Sequence, residues 1–523
     1  MGDAAGRPLF LESHRISALR ASVVGMPQAV RVRSEWSLIG TTFAVVFGLS
    51  ATMHGLSPSL PAIVGGSFFF GMLVVRNRAW IVHATLIVLF MTSVPEVPRG
   101  VRVGGIFVFF YEIFIFASFL YALSLARAHS ADLRTLTKRA VVRCAVVFSV
   151  VIFMGLAIAV LRGHPVWDIQ YDAKSIAEMM IVTFIAVVLI AVDDWKRYVK
   201  TLAWVLSTSA LLMVYASATG FVLWGRTETA ELYASGGRAL AGGSEAVRYL
   251  TQTTPLALAV LLGGVGLSLV GRLTTFGWFF VVLPALVISV LSFSRNTLLA
   301  LAGAVVFTLV VAAVQGEAAT LARRLVVLPL IAVPLLVVIM SFSSVLGARD
   351  WIDTQISGYA NRVVAGLDES NERADVSANY RDLENTYITQ AGMEHLAFGG
   401  GFGTRYKPAS GKRGEFQAVE GTMYAHNAYN WLFVKVGLLG LLSFVVLLLA
   451  CIVPVATRRR SSTLAIAGAV TLAGLSIAIV VTPMPIEQPG CSILAILIAM
   501  CVFRRDVDLG RARTPSFDLT KTS

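Results

Sequence analysis

Apolar runs of span length recur along the chain from Ser37 to Phe503, separated by short polar or basic segments. A helix needs about 20 apolar residues to cross a bilayer. Runs near 37–54, 57–75, 79–94, 104–125, 140–161, 176–192, 200–223, 249–270, 275–293, 297–314, 325–345, 429–453, 463–481 and 490–503 meet or approach that length. The pattern predicts an all-α polytopic membrane protein with about 14 transmembrane helices. Only Ser294-Arg295-Asn296 separates the ninth run from the tenth, so that turn is tight and lies at a membrane face. No internal repeat is evident.

One stretch, about 347–428, is too polar to be a span. Structureless loops beyond roughly 15 residues are uncommon unless functional or disordered. This one mixes in Trp351, Ile356, Tyr359, Tyr380, Leu383, Tyr387, Ile388 and Phe398, which a disordered tract would lack. A small, partly helical external domain is expected. Three- and four-residue steps through Leu383, Tyr387, Gln390 or Ala391, and Glu394 predict a helix over 380–395, stopped by the glycine run 398–403.

Composition narrows the class. The chain has 523 residues, 56% hydrophobic and only 14% charged, whereas soluble domains carry about a quarter charged residues. A soluble enzyme is excluded. The net charge of +13 would suggest nucleic acid in a soluble protein, but topology accounts for it here. With the N-terminus inside, the inner loops hold 16 basic residues against 8 in the short outer loops, as the positive-inside rule requires. The expected organisation is a cytoplasmic tail (1–36), a first membrane part (37–345), the external loop domain (346–428), the C-terminal spans (429–503) and a cytoplasmic tail (504–523). The partner is the bilayer of the cytoplasmic membrane, not nucleic acid. Cys144, Cys451, Cys491 and Cys501 fall in or beside apolar runs without metal-ligand spacing, so neither a zinc site nor a disulfide framework is expected.

Ionisable groups at a membrane's face are costly and usually functional. Arg295 has almost no loop to carry it into water; its ordinary alternative is snorkelling to head groups. Arg238 sits in Gly236-Gly237-Arg238-Ala239-Leu240-Ala241-Gly242-Gly243, where backbone amides and a guanidinium suit a phosphate, although a flexible turn has the same composition. His426, in Tyr424-Ala425-His426-Asn427, stands where the external domain returns to the membrane. Histidine transfers protons near neutral pH, and equally serves as a structural hydrogen-bonder. Glu112 and Glu178, inside or near spans, are expected to pair with an arginine of another span rather than mark a polar pathway.

Taken in order, Arg238, the Ser292-Phe293-Ser294-Arg295-Asn296 turn, Arg381, the run Leu396-Ala397-Phe398-Gly399-Gly400-Gly401-Phe402-Gly403, the pair His426-Asn427 and then Gly437-Leu438-Leu439-Gly440 resemble the O-antigen ligase and O-antigen polymerase superfamily of membrane glycan transferases. The resemblance is strongest over 236–450. It implies transfer of a glycan from a polyprenyl diphosphate carrier to an acceptor hydroxyl on a glycan or lipid, outside the cytoplasmic membrane, with inversion and with no metal or cofactor. On that reading Arg238, Arg295 and Arg381 hold the diphosphate. His426 is either the base or a diphosphate hydrogen-bonder. Ligation and polymerisation remain alternatives, as does a glycolipid flippase or transporter, which would need polar residues along a path through the bilayer rather than gathered at one face.

Overall fold

The computed structural model describes residues 77–95, 99–103, 106–228, 246–326, 349–360, 363, 376–410 and 419–504. The chain divides into two compact units, Met1–Trp80 and Ile81–Ser523. The first is described only over 77–80. The described helices and strands belong to the second, save for Trp80 at the start of its first helix.

The main helices are α1 (Trp80–Phe90), α2 (Phe110–Ala128), α3 (Ala140–Leu161), α4 (Val166–Val192), α5 (Trp195–Thr219), α6 (Thr253–Leu269), α7 (Thr275–Leu291), α8 (Arg295–Gln315), α9 (Arg349–Tyr359), α10 (Val376–Glu394), α11 (Ala428–Ala456), α12 (Thr463–Ala478) and α13 (Gly490–Val502). By length and composition, six of them, α2, α3, α4, α5, α8 and α11, can cross a membrane. Shorter apolar helices, α1, α6, α7, α12 and α13, fall on five more of the predicted runs. The runs 37–54 and 57–75, and nearly all of 325–345, lie outside the described residues. Phe116, Val146, Phe153, Trp204 and Leu211 are exposed on α2, α3 and α5. Apolar surface on that scale suits lipid rather than water. The chain is a helical membrane protein.

Small residues set the packing. A Cβ on Gly474 of α12 would come 2.6 Å from the Ala300 carbonyl oxygen, and one on Gly303 would come 2.3 Å from the Ile477 side chain. Such contacts let α8 and α12 lie backbone to backbone, as membrane helices do where small residues face each other. Ala300 meets Gly474, and Thr308 and Val470 both flank Gly266, so α8 and α12 are antiparallel. The end of α12 also meets the start of α11, where the Ala428 N–H donates to the Ile479 carbonyl at 3.1 Å. Arg295 and His426 therefore stand at the same end of the bundle. The opposite end carries Arg139, which donates to the Val502 carbonyl at 2.9 Å, and Arg272, which donates to the Ser461 carbonyl at 2.7 Å and to Glu317 at 3.0 Å.

Two antiparallel strand pairs edge the helices, β1 (Gly100–Val103) with β2 (Ile106–Phe109) and β3 (Arg226–Glu228) with β4 (Arg248–Leu250). The second pair brackets the segment that carries Arg238.

The glycine run does more than stop a helix. α11 is broken at Gly437, whose φ of 72° and ψ of −168° are not helical, and the run is threaded into the break. Gly400 N–H donates to the Val434 carbonyl at 2.7 Å and Gly401 N–H to that of Lys435 at 3.0 Å; in return Leu438 N–H donates to Leu396 at 2.8 Å and Leu439 N–H to Ala397 at 3.2 Å. Backbone groups freed by the break are thus satisfied, which a membrane interior demands. A Cβ on Gly399 would lie 2.5 Å from Gly437 N, and one on Gly437 would lie 2.4 Å from Ala397 C and O, so both positions need glycine for space as well as for positive φ.

Side chains reinforce this join. Lys435, fully buried, pairs with Asp172 of α4 and donates to the Thr404 carbonyl at 2.7 Å. Gly403 N–H donates to Asp172 Oδ2 at 2.7 Å. One turn earlier on α4, Asp168 takes a two-pronged contact from Arg405, at 2.9 and 3.1 Å. A buried charge is tolerable only when paired and hydrogen-bonded, and both members here are.

The helix expected over 380–395 runs Val376–Glu394, and on it Leu383 and Glu394 are exposed, whereas Glu384 and Ile388 are buried. The buried position Glu384 is a carboxylate partnered by Lys407 and His426. One expectation needs correction. Neither Glu112 nor Glu178 pairs with an arginine among the described residues. Glu112 meets Lys174, and Glu178 accepts a hydrogen bond from Gln488.

Candidate functional site

His426 precedes the N-cap of α11. Asn427 is the cap itself, its side chain accepting from the N–H groups of Tyr429 at 3.0 Å and Asn430 at 3.1 Å. Capping fixes the chain's direction just before the helix and so aims His426 at α10. There Glu384, 2% exposed, accepts from the His426 backbone N–H at 2.8 Å and lies 2.9 Å from His426 Nδ1 through the same oxygen, Oε2. Its other oxygen pairs with Lys407. Asn430 holds the two helices together through Asn385, at 3.0 Å.

Burial pushes the Glu384 carboxyl up, but the hydrogen bonds from His426 and Lys407 outweigh it and hold the group below its ordinary value. Glu384 is therefore anionic at neutral pH. An anionic carboxylate only accepts, so Nδ1 is assigned the proton of a neutral His426, and Nε2 carries the lone pair. A base oriented through its other ring nitrogen by a buried carboxylate is the arrangement of histidine bases that activate hydroxyls.

Around this trio are aromatic rings. Tyr424 and Tyr380 stand nearly perpendicular to the His426 ring, with centroids 5.2 and 6.3 Å away. The Tyr406 hydroxyl donates to the Met423 carbonyl at 2.9 Å, and burial first, then neighbouring carboxylates, push its phenol far up, so it stays protonated. A cavity of about 270 Å³ opens here, lined by Tyr380, Lys407, Ser410, Tyr424, His426 and Glu487 among others.

Arg295 is the first residue of α8. The turn before it is unusual: Phe293, buried, adopts a φ of 42°. Such a conformation is a few per cent event for a residue with a side chain. Packing holds it, since the Phe293 ring lies 6.1 Å from that of Tyr359 on α9 and clusters with Ala246 and Val363. Arg248 of β4 donates through Nε to the Ser292 carbonyl at 2.8 Å. The turn that presents Arg295 is thus tied to the strand pair from which the Arg238 segment departs. Arg238 itself lies outside the described residues. Arg381 is on α10 one turn before Glu384, half-buried, and its Nε has no hydrogen-bond partner among the described residues. Among those residues no group of three or more His, Cys, Asp or Glu side chains could hold a metal ion.

Residues 279–445 match the O-antigen ligase family model. That stretch begins within α7 and ends within α11, and it contains Arg295, Arg381, the glycine run, His426 and Gly437. The match supports, over those residues, the superfamily resemblance seen in the sequence. No curated protein matches the chain.

Four polar residues inside or beside this O-antigen ligase-like region escaped the sequence reading: Glu384, Lys407, Lys435 and Glu487. Lys435 carried a usable signal, being the lone charge in the apolar run 429–453. Asp168 and Asp172, four apart before another apolar run, carried a second, because that spacing puts two carboxylates on one helix face. Glu384 and Lys407 had none, since their contact joins positions whose proximity only the fold creates.

Proposed function

We propose that this protein transfers a glycan from a polyprenyl diphosphate carrier to an acceptor hydroxyl at the outer face of the cytoplasmic membrane, as an inverting, metal-independent transferase. The observation that carries this reading is the His426–Glu384 pair, with His426 on a cavity wall, at the same end of the bundle as Arg295. The acceptor oxygen attacks the anomeric carbon, and the bond from that carbon to the diphosphate oxygen breaks with its electron pair leaving on the diphosphate. The hydroxyl proton passes to His426 Nε2. Arg295, with Arg238 and Arg381, neutralises the charge that develops on the leaving group; a planar guanidinium grips two oxygens at once. Attack from the face opposite the leaving group inverts the anomeric centre.

Charge placement favours a transferase over a flippase. The ionisable residues of α4, namely Asp168, Asp172, Lys174 and Glu178, all fall in its first half, so this helix gives no polar path across the bilayer.

The test is transfer from a synthetic polyprenyl diphosphate glycan by the purified protein. Arg295→Ala is expected to abolish transfer while the protein remains folded, and Arg295→Lys to restore it only in part, because an ammonium lacks the fork. Full activity in Arg295→Ala would remove the carrier-binding role. Sidedness has a separate check. A cysteine at exposed Thr389 on α10 is expected to react with a membrane-impermeant thiol reagent in intact cells, and one at Arg459 is not. The reverse pattern would invert the topology.

A further inference from the structure

The cavity beside His426 has walls of a particular chemistry. Tyr380 and Tyr424 present rings; Ser410 and the Tyr424 hydroxyl present hydroxyl groups; His426 and Glu487 present the acceptors. Tyr424 donates its hydrogen bond to Glu487. Glu487 lies in the connection between α12 and α13 and is open to the cavity, although protein surrounds it closely. The cation on the wall, Lys407, is spent on Glu384. With those two cancelled, the acidic group left facing the cavity among the described residues is Glu487.

That lining suits a neutral group better than a diphosphate. A group with two or more negative charges would meet Glu487 with no unpaired cation among the described lining residues. The diphosphate belongs instead at the arginines, and the cavity belongs to the other substrate. Its volume of about 270 Å³ is below the roughly 300–1,000 Å³ of clefts that enclose drug-sized ligands, so it suits one ring, not an oligosaccharide. Aromatic walls offer faces to the C–H side of a sugar, and a carboxylate with a free oxygen lone pair accepts from its hydroxyls.

We infer that the cavity beside His426 is an acceptor subsite for a single uncharged pyranose ring, in which Glu487 accepts hydrogen bonds from the sugar's hydroxyls and the Tyr380 and Tyr424 rings flank it. This rests on the transferase reading only for the word acceptor; the binding itself needs no donor. One hydroxyl of the seated ring would lie against His426. A sugar carrying a carboxylate, such as a uronic acid, would be repelled by Glu487.

Binding can be read on the full-length protein in lipid nanodiscs by saturation-transfer NMR, without donor. The probes are the methyl glycosides of glucose, galactose, mannose and N-acetylglucosamine, beside the methyl glycosides of glucuronic and galacturonic acid. At least one neutral glycoside is expected to show ring-proton saturation, at least threefold above either uronide, and inorganic diphosphate is expected not to displace it. Glu487→Gln, which keeps the shape and removes the charge, is expected to weaken the neutral signal and to raise that of the uronides. Equal or stronger binding of a uronide by the unaltered protein, displacement by diphosphate, or no binding by any neutral glycoside would each overturn the subsite. A chain that binds the sugars but never consumes donor keeps the subsite and loses the transferase reading. One that transfers to neutral and acidic acceptors alike does the reverse.

Discussion

Replacing His426 by glutamine is expected to lower transfer by on the order of 10²–10⁴, the usual contribution of a positioned base, and to remove the acid limb of the pH profile. Glutamine can still donate toward Glu384 but cannot take up the acceptor's proton. If His426 takes the acceptor's proton, activity of the unaltered protein should fall on acidification, because a protonated base can accept nothing. A histidine that binds diphosphate predicts the opposite slope, because its protonation would help. Glu384 does not confuse the result. Its carboxyl is held below its ordinary value of 4.5, so it remains ionised across the acid limb, and the stability it contributes is complete above that value and lost only as pH falls through the lowered one. Glu384→Gln should therefore lose activity by misplacing His426 rather than by shifting the profile through its own titration. Near-unaltered turnover in His426→Gln would show that the ring is structural. The proton would then fall to Glu487 or water, since Asp382 is exposed on the far side of α10.

The largest effect on stability is expected from Lys435→Met. Asp172 would then remain buried with the Gly403 N–H but without its cation, and breaking one side of a buried pair costs about 3–5 kcal/mol. The loss should appear as a lowered melting midpoint of the detergent-solubilised protein and reduced recovery from membranes. Adding Asp172→Asn to Lys435→Met removes the stranded charge while keeping an acceptor for Gly403, and should recover much of the deficit. Unchanged stability in the single variant would mean that the Lys435–Asp172 pair does not hold the glycine run in place.

Legibility from sequence followed the range of the forces involved. Apolar runs report their own burial in lipid, so α3, α8 and α11 lie within a few residues of their predicted bounds. Arg295 and His426 could be singled out because each departs from a local pattern. What stayed hidden was made by contacts distant in the chain. Glu384 gains its role only where the fold brings Lys407 and His426 to it. The glycine run 398–403 reads as a helix stop and Gly437 as part of a family-like motif, yet each is explained by the other, and no periodicity within either reveals the partnership.

That partnership also orders the protein's birth. Leu396–Gly403 emerges from the ribosome before Val434–Leu439, and four of its backbone hydrogen bonds are with residues not yet made. Until the first half of α11 arrives, the glycine run has nothing to enter, and α10 has no Asn430 to grip and no His426 to receive. The segment carrying α10 must therefore wait, undocked, for a helix synthesised after it. A nascent chain arrested before Val434 would already carry Arg295, Glu384 and His426 but none of the α11 backbone groups that the glycine run bonds, which makes the α11 break a late step in assembly.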